Sequence, residues 1–149
     1  SYSKNEAKVT ISGVPDVPGI SAKIFGALSD NNINVDMIVQ NISQDGIKAN
    51  VTFTVQANDM KFSKKILEDN RSLIKYNSLS TNDKVSKISV IGVGMRSQSG
   101  VAQKMFQTLA SKQINILAIS TSEIKISVLI EKKYSEKAVK SLHEVYKLN

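Results

Sequence analysis

Apolar and polar residues alternate over residues 8–12 (Lys-Val-Thr-Ile-Ser), the period of a half-buried strand. Residues 14–19 then hold both prolines of the chain and a glycine, which predicts a loop. Ile20, Ile24, Ala27 and Leu28 recur at helical spacing and predict a helix over 20–31, ended by Asn31-Asn32. Alternation returns in 33–43 (Ile33, Val35, Met37, Val39). Gln44-Asp45-Gly46 reads as a hairpin turn, and 49–55 as its return strand, with Val51, Phe53 and Val55 on one face. Asn58 or Asp59 is placed to cap a second helix running to Asn70, with Phe62, Ile66 and Leu67 inward. Residues 73–79 read as a short, weak edge strand.

The pattern then starts again. Residues 87–93 read as a strand, 94–100 as a loop, 101–112 as a helix and 114–122 as a strand. A tight turn at Ser122-Glu123 leads into a return strand over 124–131, and a last helix follows, capped by Ser135. The repetition extends to identities. Gly13 to Ile38 set against Gly94 to Ile119 without a gap gives 8 identical positions in 26. A hairpin four residues shorter then pairs Ile47, Lys48 and Val51 with Ile124, Lys125 and Val128. Each copy reads strand–helix–strand–strand–helix, an α+β class of ferredoxin-like βαββαβ units with antiparallel sheets and helices on one face. The boundaries expected are 1–82 for the first unit and 83–149 for the second, with Thr81-Asn82-Asp83 between them. Only the first copy has a candidate sixth strand. The empty place in the second is open to residues upstream of Ser1 or to another chain, and the start at Ser1 rather than Met reads as a processed or excised piece.

Composition narrows the chemistry. The 149 residues include no cysteine or tryptophan and one histidine. Disulfides, thiolate catalysis and cysteine-held metals are excluded, and the core has to be built from Ile, Val, Leu and Ala. His143 has no companion with which to bind a metal. The aspartates form no defensible catalytic pair, and no Gly-Lys-Ser/Thr follows Gly92-Val93-Gly94. No apolar run approaches the ~18 residues of a spanning helix, so no membrane partner is expected. The net charge of +7 raises nucleic acid as a partner. The lysines, however, are spread over helix surfaces (Lys61, Lys64, Lys65, Lys132, Lys133, Lys137, Lys140) with no aromatic residues interleaved on a strand, a solvated basic surface rather than a base-stacking one. The residues point to a binding or regulatory module and not to an enzyme.

The two glycine loops remain. Each leads from a strand into a helix beginning near Gly19 or Gly100, where unpaired N–H groups and the helix dipole suit a carboxylate. Asp16 and Asp36, or Glu123 in the second copy, would then meet an ammonium group. The pair of charges describes a free amino acid. The plain alternative is that these glycines only make the turn.

Five blocks carry a resemblance: Asn5-Glu6-Ala7-Lys8-Val9-Thr10-Ile11; Gly13-Val14-Pro15-Asp16-Val17-Pro18-Gly19; Ile33-Asn34-Val35-Asp36-Met37-Ile38-Val39-Gln40-Asn41; Gly92-Val93-Gly94-Met95-Arg96-Ser97; and Ile119-Ser120-Thr121-Ser122-Glu123-Ile124-Lys125-Ile126-Ser127. In this order they resemble the paired ACT domains of aspartate kinase, nearly end to end. The resemblance implies a regulatory end or separate regulatory subunit that lacks the kinase domain. It needs no cofactor itself, since ATP and Mg are implied only for that absent domain. It implies feedback regulation by lysine, threonine or both, a cytoplasmic setting, a homodimer formed through the ACT units, and the aspartate kinase catalytic domain as partner. Effectors of this family lie where the first unit of one chain meets the second unit of the other. Carried over, the first wall would use Asp16, Pro18, Gly19, Ile20, Asn34, Val35, Asp36, Gln40 and Asn41. The facing wall would use Met95, Ser97, Gly100, Val101, Asn115, Ile116, Thr121, Ser122 and Glu123. Two departures fall on this second wall: Ser97-Gln98-Ser99-Gly100 where Ser-His-Pro-Gly is common, and Leu117-Ala118 in place of a more polar pair. The resemblance further implies that the second unit borrows its last strand from the segment just before the first. An ACT pair that dimerises without binding an effector, and a basic nucleic-acid-binding domain, are the competing readings.

Overall fold

The computed structural model describes residues 2–91 and 98–146. The chain divides into two compact units, Asn5–Asp83, and Ser1–Lys4 together with Lys84–Asn149. The elements are β1 (Tyr2–Pro15), α1 (Ile20–Asp30), β2 (Ile38–Ile42), β3 (Lys48–Gln56), α2 (Met60–Asp69), α3 (Arg71–Ile74) and β4 (Ser78–Ile91), then α4 (Gln98–Ser111), β5 (Ala118–Thr121), β6 (Lys125–Glu131) and α5 (Ser135–Tyr146). Three-residue 3-10 turns, Ala57–Asp59 and Lys132–Tyr134, lead into α2 and α5.

In the first unit the strands lie in the order β2-β3-β1-β4, and the register described for β1–β3 and β2–β3 is antiparallel. Val9, Phe53 and Ile38 share one row across the sheet. This row faces the helices: Ile20, Ile24 and Leu28 of α1 and Ile66 and Leu67 of α2 pack with Val9, Ile11, Val51 and Phe53 in one core. The second unit repeats the plan in the order β1-β4-β6-β5, with residues 2–4 of β1 as its outer strand. Its row is Ile88, Val128 and Ile119, and its core joins Met105 and Leu109 of α4 with Ala138 and Leu142 of α5.

These rows keep the offset of 81 at Ile38 and Ile119 and correct the length of the hairpin that follows. Ile38 and Ile119 are 81 apart, but their row partners Phe53 and Val128 are 75 apart, so the second hairpin is six residues shorter than the first, not four. Val9 and Ile88 are 79 apart, so the second glycine loop is two residues longer. Pairing across strands sets the true correspondence, and loops of unequal length hide it from a linear comparison. A hydroxyl pair confirms it: Thr10–Thr52 at 3.2 Å and Ser89–Ser127 at 2.7 Å occupy matching rows on the face away from the helices.

Other expectations change for local reasons. The ladder of β2 starts at Ile38 rather than Ile33, because the Thr54 hydroxyl accepts the Met37 N–H at 3.0 Å and takes the place of a regular rung. The stretch over 73–79 is no separate edge strand. Arg71–Ile74 forms a helical turn closed by Lys75 in the left-handed region (φ 62°), and β4 then runs unbroken through residues 81–83. Neither Asn58 nor Asp59 gives α2 a side-chain cap. Ser135 is the first residue of α5. Its hydroxyl donates to the Lys132 carbonyl and meets the Ser86 hydroxyl at 2.6 Å, so it ties strand to helix instead of capping.

Ser63 of α2 is fully buried, and its hydroxyl is the only buried side-chain polar atom among the described residues without a partner. Its counterpart in the second unit, the fourth residue of α5, is the buried Ala138. Ser63→Ala is therefore expected to stabilise the chain by about 1 kcal/mol, read as a higher urea midpoint with unchanged slope.

Candidate functional site

At the first corner β1 ends at Pro15, and the loop turns into α1 through Gly19, whose φ of 89° lies in the left-handed region. A side chain at Gly19 would meet nothing within 4 Å, so the glycine serves the backbone angle and leaves open space in front of the helix. The first turn of α1 has no side-chain cap and no acidic residue. Ile20 donates its N–H to the Val17 carbonyl at 3.4 Å and Lys23 to the Gly19 carbonyl at 3.2 Å, which leaves the Ser21 and Ala22 N–H groups as those without an intrahelical acceptor at the helix start. Asp16 and Pro18 flank the turn. The Asp16 N–H donates to the Ile47 carbonyl at 2.9 Å and ties the loop to the hairpin. At the hairpin tip the Asp45 carboxylate accepts from the Ser43 hydroxyl and the Ile47 N–H, which holds its pKa below the ordinary carboxylate range.

Gln40 is in register with Val51, on the face that α1 covers and two residues along the strand from the row of Ile42, Ala49 and Val14 at the corner. Asn41 is not. Neighbours on a strand point to opposite faces, and Asn41 pairs with Asn50 on the far side. There it lines a shallow recess of about 100 Å³ with Ile42, Ser43, Lys48 and Asn50.

Asn34, Val35 and Asp36 lie at the other end of the unit. The Asp36 N–H donates to the Thr54 carbonyl at 3.1 Å, whereas the corner is level with the Ile42–Ala49–Val14 row. Ile42 is six residue steps beyond Asp36, roughly 20 Å along the strand. Eight of the nine residues of the expected first wall therefore form two groups, Asp16, Pro18, Gly19, Ile20 and Gln40 at one end, and Asn34, Val35 and Asp36 at the other, while Asn41 falls on the far face.

The second unit divides in the same way. α4 begins at Gln98 rather than at 101, so Gly100 lies with Val101 inside its first turn instead of before it, and Thr121, in register with Ile126, takes the place of Gln40. Asn115 is exposed and Ile116 packs on the core at the opposite end. Ser122 and Glu123 form the hairpin turn, where the Ser122 N–H donates to the Lys125 carbonyl at 2.8 Å. Met95 and Ser97 lie outside the described residues. Tyr146 of α5 donates its hydroxyl to the Val101 carbonyl at 2.6 Å, and burial lifts its pKa above the ordinary phenol value. The last helix is thereby pinned to the first turn of α4.

Both units leave their hairpin edge open. Ile38 is 51% exposed and Ile119, its counterpart, 43%. Two isoleucines at the same place in two copies, each on an outermost strand with unpaired backbone groups, mark an edge suited to another strand. Among the described residues no His, Asp and Glu cluster could hold a metal, and no helix is long and apolar enough to cross a membrane.

A family model described as "ACT domain" matches residues 9–70 and 88–146, two segments whose starts show the same 79-residue offset as the strand rows. The chain is 48% identical over 149 residues to an aspartate kinase of Pseudomonas fluorescens and 50% identical over 146 residues to an aspartokinase of Helicobacter pylori. It spans about a third of these relatives, 36% and 35% of their lengths. Among solved structures it superposes on a chain of the aspartokinase alpha and beta subunits with a TM-score of 0.92 at 46% identity, covering 99% of this chain and 97% of that one. For the ligand-free regulatory subunit of aspartate kinase from Thermus thermophilus the TM-score is 0.90 at 35% identity, covering 98% and 95%.

Proposed function

The chain belongs to the ACT domain family, as the regulatory and not the catalytic part of aspartate kinase, and from that premise we propose that it binds free lysine, threonine or both between two copies of itself. The observation that carries the reading is the split of the site. Neither group of candidate residues encloses a ligand alone, because the corner's row stands roughly 20 Å from Asp36 along the strand, and Gln40 about 13 Å from it. Two open edges that pair antiparallel bring the top of one against the bottom of the other. Asp16, Gly19, Ile20 and Gln40 of one chain then face Asn115 and Ile116 of the other. By the same pairing Gly100, Val101 and Thr121 face Asn34, Val35 and Asp36.

In such a seam the amide groups of the helix start take the effector carboxylate, and Asp16 or Asp36 takes its ammonium. Backbone angle explains Gly19 without a ligand, but it does not explain why the helix start is left uncapped beside an exposed Gln40. The effector acts by favouring one dimer arrangement, in which an aspartate kinase catalytic domain is held less active. Its leverage is its difference in affinity between the two arrangements, typically about 1–3 kcal/mol. The setting is the cytoplasm, where the amino-acid pool is sensed. No cofactor takes part at this site.

Titration calorimetry of the chain with lysine, threonine and their mixture tests the proposal. Gln40→Ala and Asp16→Ala are each expected to weaken binding at least ten-fold, about 1.4 kcal/mol, with the melting curve unchanged. Unchanged affinity in both variants would remove the site assignment. The exposed Ile38 and Ile119 edges favour one second reading, a dimerisation module without effector. That reading predicts a concentration-dependent dimer and no heat of binding with either amino acid.

A further inference from the structure

At Gly13 β1 stops being a regular strand. The register with β3 slips between Ile11 and Val14, and Gly13 has a φ of 72°. The loop that makes the first corner starts just beyond it. Separate elements take hold of this slip. Asn50 of β3 accepts the Gly13 N–H on its Oδ1 at 3.0 Å. Asn77 donates its backbone N–H to the Ser12 carbonyl at 2.8 Å and lays its side chain so close that a Cβ on Gly13 would come within 2.3 Å of its Nδ2. Arg71 donates from Nη2 to the Asn77 carbonyl at 2.7 Å while its guanidinium lies 4.9 Å from the Tyr76 ring centre. The bulge is thus gripped from β3 on one side and from the start of β4 on the other.

We infer that Asn50 is a positioning residue for the first corner: its carbonyl fixes the loop over residues 16–19 relative to the β2–β3 hairpin, and so fixes the gap between the α1 amide groups and Gln40. The inference rests on the effector reading above. Asparagine is a poor strand former, and Asn50 stands within β3 directly before a run of β-formers, Val51 to Val55. Local propensity therefore does not account for it, whereas the bond to a displaced backbone N–H does. The hairpin carries Gln40 and the loop carries Gly19, so this bond at the root of the loop, together with the Asp16–Ile47 bond farther along it, sets the distance between the two halves of one grip. The strand rows place Lys125 where the first unit has Asn50, since Phe53 answers to Val128. Lysine has no acceptor, so this brace cannot form there. The first corner has this brace, and Lys125 offers no counterpart of the Asn50 acceptor. A preorganised corner loses less freedom on binding, so the effector binds more tightly at the seam that uses the first corner.

Amide hydrogen exchange by NMR and calorimetric titration with lysine and threonine, on the whole chain, test this with Asn50→Ala and Asn50→Asp. Asn50→Ala is expected to speed exchange at Gly13 and at residues 16–20 and to weaken binding roughly ten-fold, through misplacement of the corner. Asn50→Asp keeps an oxygen in the same place and is expected to restore slow exchange and most of the affinity. A residue that only stabilised the fold would give neither loop-confined exchange nor rescue by aspartate. Unchanged exchange in Asn50→Ala, faster exchange with unchanged affinity, or failure of Asn50→Asp to rescue each overturns the inference. If the unaltered chain binds neither amino acid, the effector reading falls, while the exchange data still decide whether Asn50 sets the corner.

Discussion

Phe53→Ala is expected to destabilise the chain by about 3–5 kcal/mol, the largest loss for any single truncation in the first unit. Phe53 leads the fully buried side chains by volume, and it stands at the centre of the Val9–Phe53–Ile38 row. Its ring meets Phe25 of α1 edge to face, with centroids 5.4 Å apart and planes at 75°, a geometry that adds to simple area burial. Alanine removes both terms and leaves a cavity beneath α1 that a sheet anchored on both sides cannot close. Phe53→Val copies the side chain at the matching place in the second unit and is expected to cost less, without being neutral, because Phe25 still loses its partner. Urea unfolding followed by circular dichroism reads both effects as lower midpoints with the slope preserved.

Gly13→Ala is expected to cost about 2–4 kcal/mol, with the damage centred on the corner. A φ of 72° charges any side chain with left-handed strain of about 1–2 kcal/mol. Contact with Asn77 comes on top. The added carbon would lie 2.8 Å from Asn77 Cβ as well as against the amide tip, so a rotation of that tip does not relieve it. Asn77 has to retreat, which strains its backbone bond to Ser12 and the Arg71 bond to its carbonyl. Gly19→Ala is the control: it carries a similar φ penalty at 89° with nothing within 4 Å, so it lacks the steric term. Differential scanning calorimetry of the two variants separates strain from crowding. Equal losses would mean that Asn77 yields freely.

The periodic segments were legible because burial on one face imposes period on residue choice. Ile20, Ile24 and Leu28 declared α1, and Val51, Phe53 and Val55 declared β3. Departures from that rule came from single polar groups acting at a distance in sequence. The Thr54 hydroxyl displaces a rung of β2, and nothing within residues 33–37 announces it. The grip of Asn50 and Asn77 on Gly13 spans 37 and 64 positions. A weak signal for it existed, an asparagine set in a strand of β-formers, but its partner is a backbone group invisible to any residue pattern. The candidate site shows the same limit. Residues 34–41 look like one motif when read along the line. As an extended segment they reach from one end of the unit to the other, so their neighbours in sequence are not their neighbours in space.

The placement of residues 2–4 with Lys84–Asn149 has an evolutionary consequence. A simple tandem duplication can be undone by losing either copy. Here a deletion that removes the leading copy from the front also takes the outer strand of the trailing one, including Lys4, whose ammonium lies 3.8 Å from Glu136. The later copy cannot revert to solitary life by truncation. It needs its missing strand grafted back, as in a circular permutant that joins a copy of residues 2–4 behind α5. The two halves differ at Asn50 and Lys125, yet the second remains structurally dependent on residues 2–4.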